Sequence, residues 1–192
     1  MKRKRKTALW ILTAAAAVSA AAAYGFDINP PVMNVAGSFA VIAAAAICGK
    51  LIKIPDGLFY TVLLFIFFAS PVGSVLDLYR LWDPYDKIVH LASGMLLGAA
   101  GFALAVWLFE KIGVSAEKGI LVIVLITFLA SSAGAGIWEI FEFTADKIAG
   151  GGMQRGMVDT LTDMIAGNIG GLFYSAFAYR KIRRRRYGGA EH

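Results

Sequence analysis

Cysteine is almost absent. Cys48 is the only one, so no intrachain disulfide can form and no soft thiolate metal site can be assembled. Charge is sparse as well: Asp, Glu, Lys and Arg together make up 17% of the 192 residues. No hydrophilic stretch is long enough for a soluble domain, and no internal repeat is visible. What fills the chain is apolar, with 58% hydrophobic residues and a mean hydropathy of +0.66, where soluble domains carry about 45–50%. A water-soluble core cannot absorb that excess. A single integral membrane domain over residues 1–192 is the expected layout.

A spanning helix needs about 20 mostly apolar residues. Apolar runs between charges and Pro/Gly breaks predict an all-α membrane protein, a polytopic bundle of about six transmembrane helices near residues 8–24, 33–52, 58–76, 88–109, 119–143 and 160–179. The links between them are short. They include Asn29-Pro30-Pro31, Ile54-Pro55-Asp56-Gly57, a polar stretch from Asp77 to Lys87, and a glycine-rich loop from Thr144 to Val158. Pro71, with Ser70, Gly73 and Ser74, suggests a kink in the third helix.

The net charge of +6 sits at the two ends, at Lys2–Lys6 and at Arg180, Lys181 and Arg183–Arg186. That placement fixes orientation and attracts anionic lipid headgroups; it does not describe a nucleic-acid surface. With the N-terminus inside, Lys50, Lys53, Lys111 and Lys118 join the two basic ends, and 15 of the 19 Lys and Arg lie on the cytoplasmic side. Arg80, Lys87, Lys147 and Arg155 remain outside. Both termini are then cytoplasmic, as in a multi-pass protein of the bacterial inner membrane. The first run also has the make-up of a secretory signal peptide, with a basic start and small residues at Ala20–Ala23.

With this topology the ionisable residues that hydropathy does not explain fall on one side. Asp86 and His90 open the fourth helix, Glu139 and Glu142 close the fifth, and Asp159 and Asp163 open the sixth. Each pair is spaced i,i+3 or i,i+4 and shares a helix face. Below them run small residues that allow close helix approach: Gly94, Gly98 and Gly101; Ser132 and Ala135; Gly167, Gly170 and Gly171. Asp86 and Asp159 also suit first-turn carboxylates favoured by the helix dipole. Asp163 lies deeper, since 16 residues separate it from Arg180, roughly 24 Å of helix.

Carboxylates crowded together need a bound cation or a proton. Oxygen donors with one imidazole suit Mg, Mn, Zn or non-haem Fe, so Asp86, His90, Glu139, Asp159 and Asp163 are the candidate metal ligands. The alternative is a hydrogen-bonded, partly protonated cluster. If metal binds, Glu139 or Glu142 is placed to act as general base. Arg155 either clamps a phosphate or carboxylate or pairs with Asp159 at i,i+4.

Tyr85-Asp86-Lys87-Ile88-Val89-His90, Trp138-Glu139-Ile140-Phe141-Glu142-Phe143, and Gln154-Arg155-Gly156 running into Asp159-Thr160-Leu161-Thr162-Asp163 together resemble the YjdF-like bacterial inner-membrane family of undefined function. More distantly they resemble VanZ-type proteins associated with glycopeptide (teicoplanin) resistance. The resemblance implies a bacterial envelope protein and supplies no reaction.

Three function classes follow. The first is an outward-facing metal-binding site, such as that of a metal-dependent hydrolase, that binds or acts on a lipid-linked substrate or amphiphile. The second is a small-molecule or proton-coupled transporter, disfavoured by the absence of repeats and of broken midplane helices. The third is a structural or partner protein whose polar layer holds the bundle. The bilayer is the one partner the sequence names; oligomeric state is not legible in it.

Overall fold

The structure is a computed structural model; it describes residues 1–149 and 152–188, with the backbone alone for Ala149 and residues 185–188. Gly150 and Gly151 of the glycine-rich loop, and the side chains of Arg185 and Arg186, lie outside the described residues. The described chain is helical: α1 (Arg3–Gly25), α2 (Val32–Leu51), α3 (Asp56–Phe67) continuing as a π-helical segment (Phe68–Val75), α4 (Leu78–Leu81), α5 (Pro84–Lys111), α6 (Ile120–Ala149) and α7 (Met157–Gly188). The chain divides into two compact units, Met1–Val89 and His90–His192, the division falling within α5.

In the first unit, α2 and α3 each begin directly after a proline, Pro31 and Pro55, where a missing N–H costs nothing. Leu9, Leu12 and Ala16 form one face of α1 and pack with Ile42 of α2 and with Phe59 and Leu63 of α3. Gly49 makes this possible, because a Cβ there would lie 2.6 Å from the Phe59 ring. The end of α1 is tied down by Arg5, which is buried and donates to Asp56 and to the Ile54 carbonyl while its guanidinium lies over the Phe59 ring.

Pro71, where the sequence suggests a kink, sits inside the π-helical segment. Proline removes a backbone donor, and in a membrane the freed acceptors must find other partners. Tyr85 Oη donates to the Phe68 carbonyl at 2.7 Å, Ser74 Oγ to that of Ala69 at 3.4 Å, and the Leu76 N–H to that of Pro71 at 3.1 Å. The room beside Gly73 is filled by the Tyr79 ring. Within this unit the proline bend therefore serves packing.

The second unit is built on close helix contact. Ile123, Thr127, Ser131, Ala135 and Glu139 recur every fourth residue on α6 and are all buried. A Cβ on Gly94 of α5 would run into the Gly167 carbonyl of α7, and one on Gly170 into that of Leu91. Ser131 Oγ sits in this seam, 2.9 Å from the Gly94 oxygen and 3.1 Å from the Gly167 oxygen. The polar member of the α6 seam is therefore Ser131; Ser132, expected from sequence, is only partly buried. At α5's far end, Gly113 (φ +72°) closes the helix, with Gly113 and Val114 N–H groups returning to the Glu110 and Phe109 carbonyls.

Five helical stretches among the described residues are long and apolar enough to cross a membrane: Arg3–Gly25, Val32–Leu51, Asp56–Val75, Pro84–Lys111 and Ile120–Ile148. The sixth expected span lies in α7, which is long but is not one of the five. Its run is diluted by Asp163, Asn168 and its glycines. Asp163, Ala166, Gly167, Gly170 and Gly171 are buried, so the least apolar helix of the unit turns its polar and small residues toward its neighbours.

Candidate functional site

The candidate site lies where α5, α6 and α7 bring their polar residues into the seam. His90 follows Asp86 by one turn on the continuous helix α5, and His90 Nε2 is 3.8 Å from Asp163 Oδ1 of α7. His90 and Asp163 each offer a ligand atom within 4.8 Å of the other. Three elements explain the approach: the helical pitch stacks Asp86 on His90, the Gly94–Gly167 contact brings α5 against α7, and α6 supports both through Ser131. Burial is nearly complete, with 9%, 6% and 1% exposure for Asp86, His90 and Asp163. Lys87 Nζ lies 3.8 Å from Asp86 Oδ2 and supplies positive charge at the edge.

Glu139 joins the buried layer at 4% exposure. Its carboxylate is not one of the ligand atoms within the 4.8 Å group, yet it lies in electrostatic reach of His90, Asp163 and Asp159. Its Oε1 is buried with no hydrogen-bond partner among the described residues. A desolvated carboxylate oxygen left in that state is costly without a cation or donor to meet it.

The remaining sequence candidates stand further out. Glu142 is partly exposed and accepts from the Trp138 indole at 2.8 Å. Asp159 accepts from Arg155 Nε at 3.3 Å, so the i,i+4 pair is formed. Both α6 residues were expected to close their helix near Phe143, but α6 runs on to Ala149, placing Glu139 ten residues, about 15 Å, before its end.

Sequence reasoning missed Thr160 and Gln154. Gln154 Nε2 donates to Thr160 Oγ1 at 3.0 Å, and its backbone N–H donates to Asp146 Oδ2 at 2.8 Å. Asp146 also accepts the N–H groups of Gly152 and Met153 at 2.8 and 3.0 Å. A carboxylate near the end of α6 thus gathers three successive amides of the loop. Gln154 and Thr160 both stand within the strings that carry the family resemblance, where neither was given a role.

Chemically, two carboxylates and an imidazole make an oxygen-rich site suited to a divalent cation such as Mg, Mn, Zn or Fe.

A protein of Thermotoga maritima described as "Uncharacterized protein" is 28% identical over 120 residues, 60% of this chain and 58% of its own length. The chain thus spans little more than half the length of that relative. No solved structure matches. The family model described as "Predicted membrane protein (DUF2238)" matches residues 6–184. That match takes in all the helices that build the site, and the chain belongs to the DUF2238 family of predicted membrane proteins.

Proposed function

We propose that this multi-pass protein of the bacterial inner membrane carries a divalent-metal centre at Asp86, His90 and Asp163, and that it binds or acts on a lipid-linked envelope substrate or amphiphile. The observation that carries this reading is the buried pair of His90 and Asp163, 3.8 Å apart, with a buried Glu139 oxygen that has no hydrogen-bond partner among the described residues. A bound metal would polarise a phosphoryl oxygen, and Glu139 would take a proton from the attacking water. Arg155 and Asp159, paired near the start of α7, would meet the polar part of the ligand; Glu142 stands beside Trp138 as a further carboxylate. The resemblance to VanZ-type proteins is in keeping with an amphiphilic or lipid-linked ligand.

The test is metal content after repletion of detergent-purified protein. Wild type should carry about one equivalent of divalent metal, and His90→Ala and Asp163→Ala should each lose it while remaining folded. A metal-free wild type beside equally stable variants sinks the metal centre and leaves a hydrogen-bonded polar cluster.

A further inference from the structure

We infer that the basic end of α7 is a binding site for an anionic phospholipid, in which Lys181 holds the phosphate and the rings of Phe102 and Phe177 receive an acyl chain. The site is independent of the metal reading. Lys181 lies 18 residues beyond Asp163 on the same helix, about 27 Å along its axis.

The Lys181 side chain reaches from α7 toward α5. Its Nζ stands 5.3 Å from the centre of the Phe102 ring on α5 and 5.9 Å from that of Phe177 on α7. Tyr174 completes the aromatic bed, 6.2 Å from Phe102 and 5.5 Å from Phe177 between ring centres. It packs against Gly98 of α5, where an added Cβ would lie 3.1 Å from that of Tyr174. The bed is therefore held by helix contact within the second unit. Rings attract an ammonium group but offer no oxygen to its three N–H donors. Among the described residues no carboxylate pairs with Lys181, and between Asp163 and Glu191 the sequence has no Asp or Glu. The phosphate of a lipid headgroup supplies both the oxygens and the opposite charge.

The rest of this face has the order of a lipid molecule. Phe173, Phe177 and Lys181 follow at successive turns of α7. Phe173 and Phe177 are 58% and 53% exposed, so both are open to an acyl chain. Arg180 and Arg184 are exposed on either side of Lys181. An apolar strip that ends in cations matches a chain that ends in a phosphate, and basic groups at the ends of spanning helices take such headgroups. The basic block at the start of the chain is built differently, because Lys2 and Arg5 are paired there with Asp56.

Native mass spectrometry of the full-length detergent-purified protein tests this, with phosphatidylglycerol and phosphatidylcholine of identical acyl chains titrated separately. Wild type should bind phosphatidylglycerol more tightly. Lys181→Gln should weaken that binding about fivefold and leave phosphatidylcholine unchanged, Phe177→Ala should weaken both lipids, and Lys4→Gln should change neither. Glycerol phosphate, which has the anion without the chains, should not displace the lipid. Equal binding of the two lipids by wild type, or wild-type binding in Lys181→Gln, overturns the site. An equal loss in Lys4→Gln also overturns it, leaving only a general attraction of basic ends to anionic lipid. Displacement by glycerol phosphate, or unchanged lipid binding in Phe177→Ala, overturns the lipid as occupant. If Lys181→Gln does not fold, Arg184→Gln decides, and a wild-type preference for phosphatidylglycerol there overturns the inference.

Discussion

Ser131 shows how much a single hydroxyl contributes when three helices meet with almost no side chain between them. Its Oγ serves the Gly94 and Gly167 carbonyls at once, and interhelical hydrogen bonds in membranes contribute about 0.6–1.7 kcal/mol. Ser131→Ala should therefore cost about that amount, read as a lowered unfolding midpoint in micelles. Gly94→Val is the harsher change, because its side chain would meet backbone on α7; overpacking costs about 1–3 kcal/mol or more. If Gly94→Val unfolds at the wild-type midpoint, the close α5–α7 approach is wrong. The glycines were legible in the sequence because spacing alone marks a small-residue stripe. The choice of Ser131 over Ser132 was not, since adjacent helical residues differ by about 100° in direction and both are small and polar.

At the scale of elements, the loop ahead of α7 is ordered by one carboxylate. Asp146→Ala removes the acceptor of three amides, so hydrogen exchange at Gly152, Met153 and Gln154 should accelerate while the cores of α6 and α7 keep their protection. Unchanged exchange at those amides would mean Asp146 does not hold the loop. The helices themselves could be read from apolar runs, with ends within about five residues, apart from α7, which runs on to Gly188 where an end at Tyr179 was expected, and α6, which the polar residues beyond Phe143 seemed to stop. They do not stop it, because backbone hydrogen bonds and tertiary contact carry a helix through polar sequence. His90, Asp163 and Glu139 were legible because charge within an apolar run is expensive. Thr160 and Gln154 were not, because neither is costly to bury.

Across the chain, the balance of basic residues and the anchoring of α1 make separate predictions. With 15 of 19 Lys and Arg assigned to the cytoplasmic side, Met153→Cys in a Cys48→Ser background should react with an impermeant maleimide from outside intact cells. Labelling only after permeabilisation would reverse the orientation. α1 reads from sequence as a possible signal peptide, but it buries Leu9, Leu12 and Ala16 and is fastened by Arg5 to Asp56 and Ile54. Intact-mass measurement of the purified protein should accordingly find α1 retained. A mass lacking roughly the first 20–25 residues, the usual length of a cleaved signal, would contradict that packing.

The modest apolarity of α7 also bears on how the protein is made. A helix that carries Asp163 and Asn168 along its length gains little from entering lipid by itself, and its buried face matches the seam of α6 through Gly167, Gly171 and Ser131. Such a helix depends on an earlier one already in place. Insertion of α7 is thus an assembly step, in which a helix of low apolarity enters the bilayer by joining partners already there.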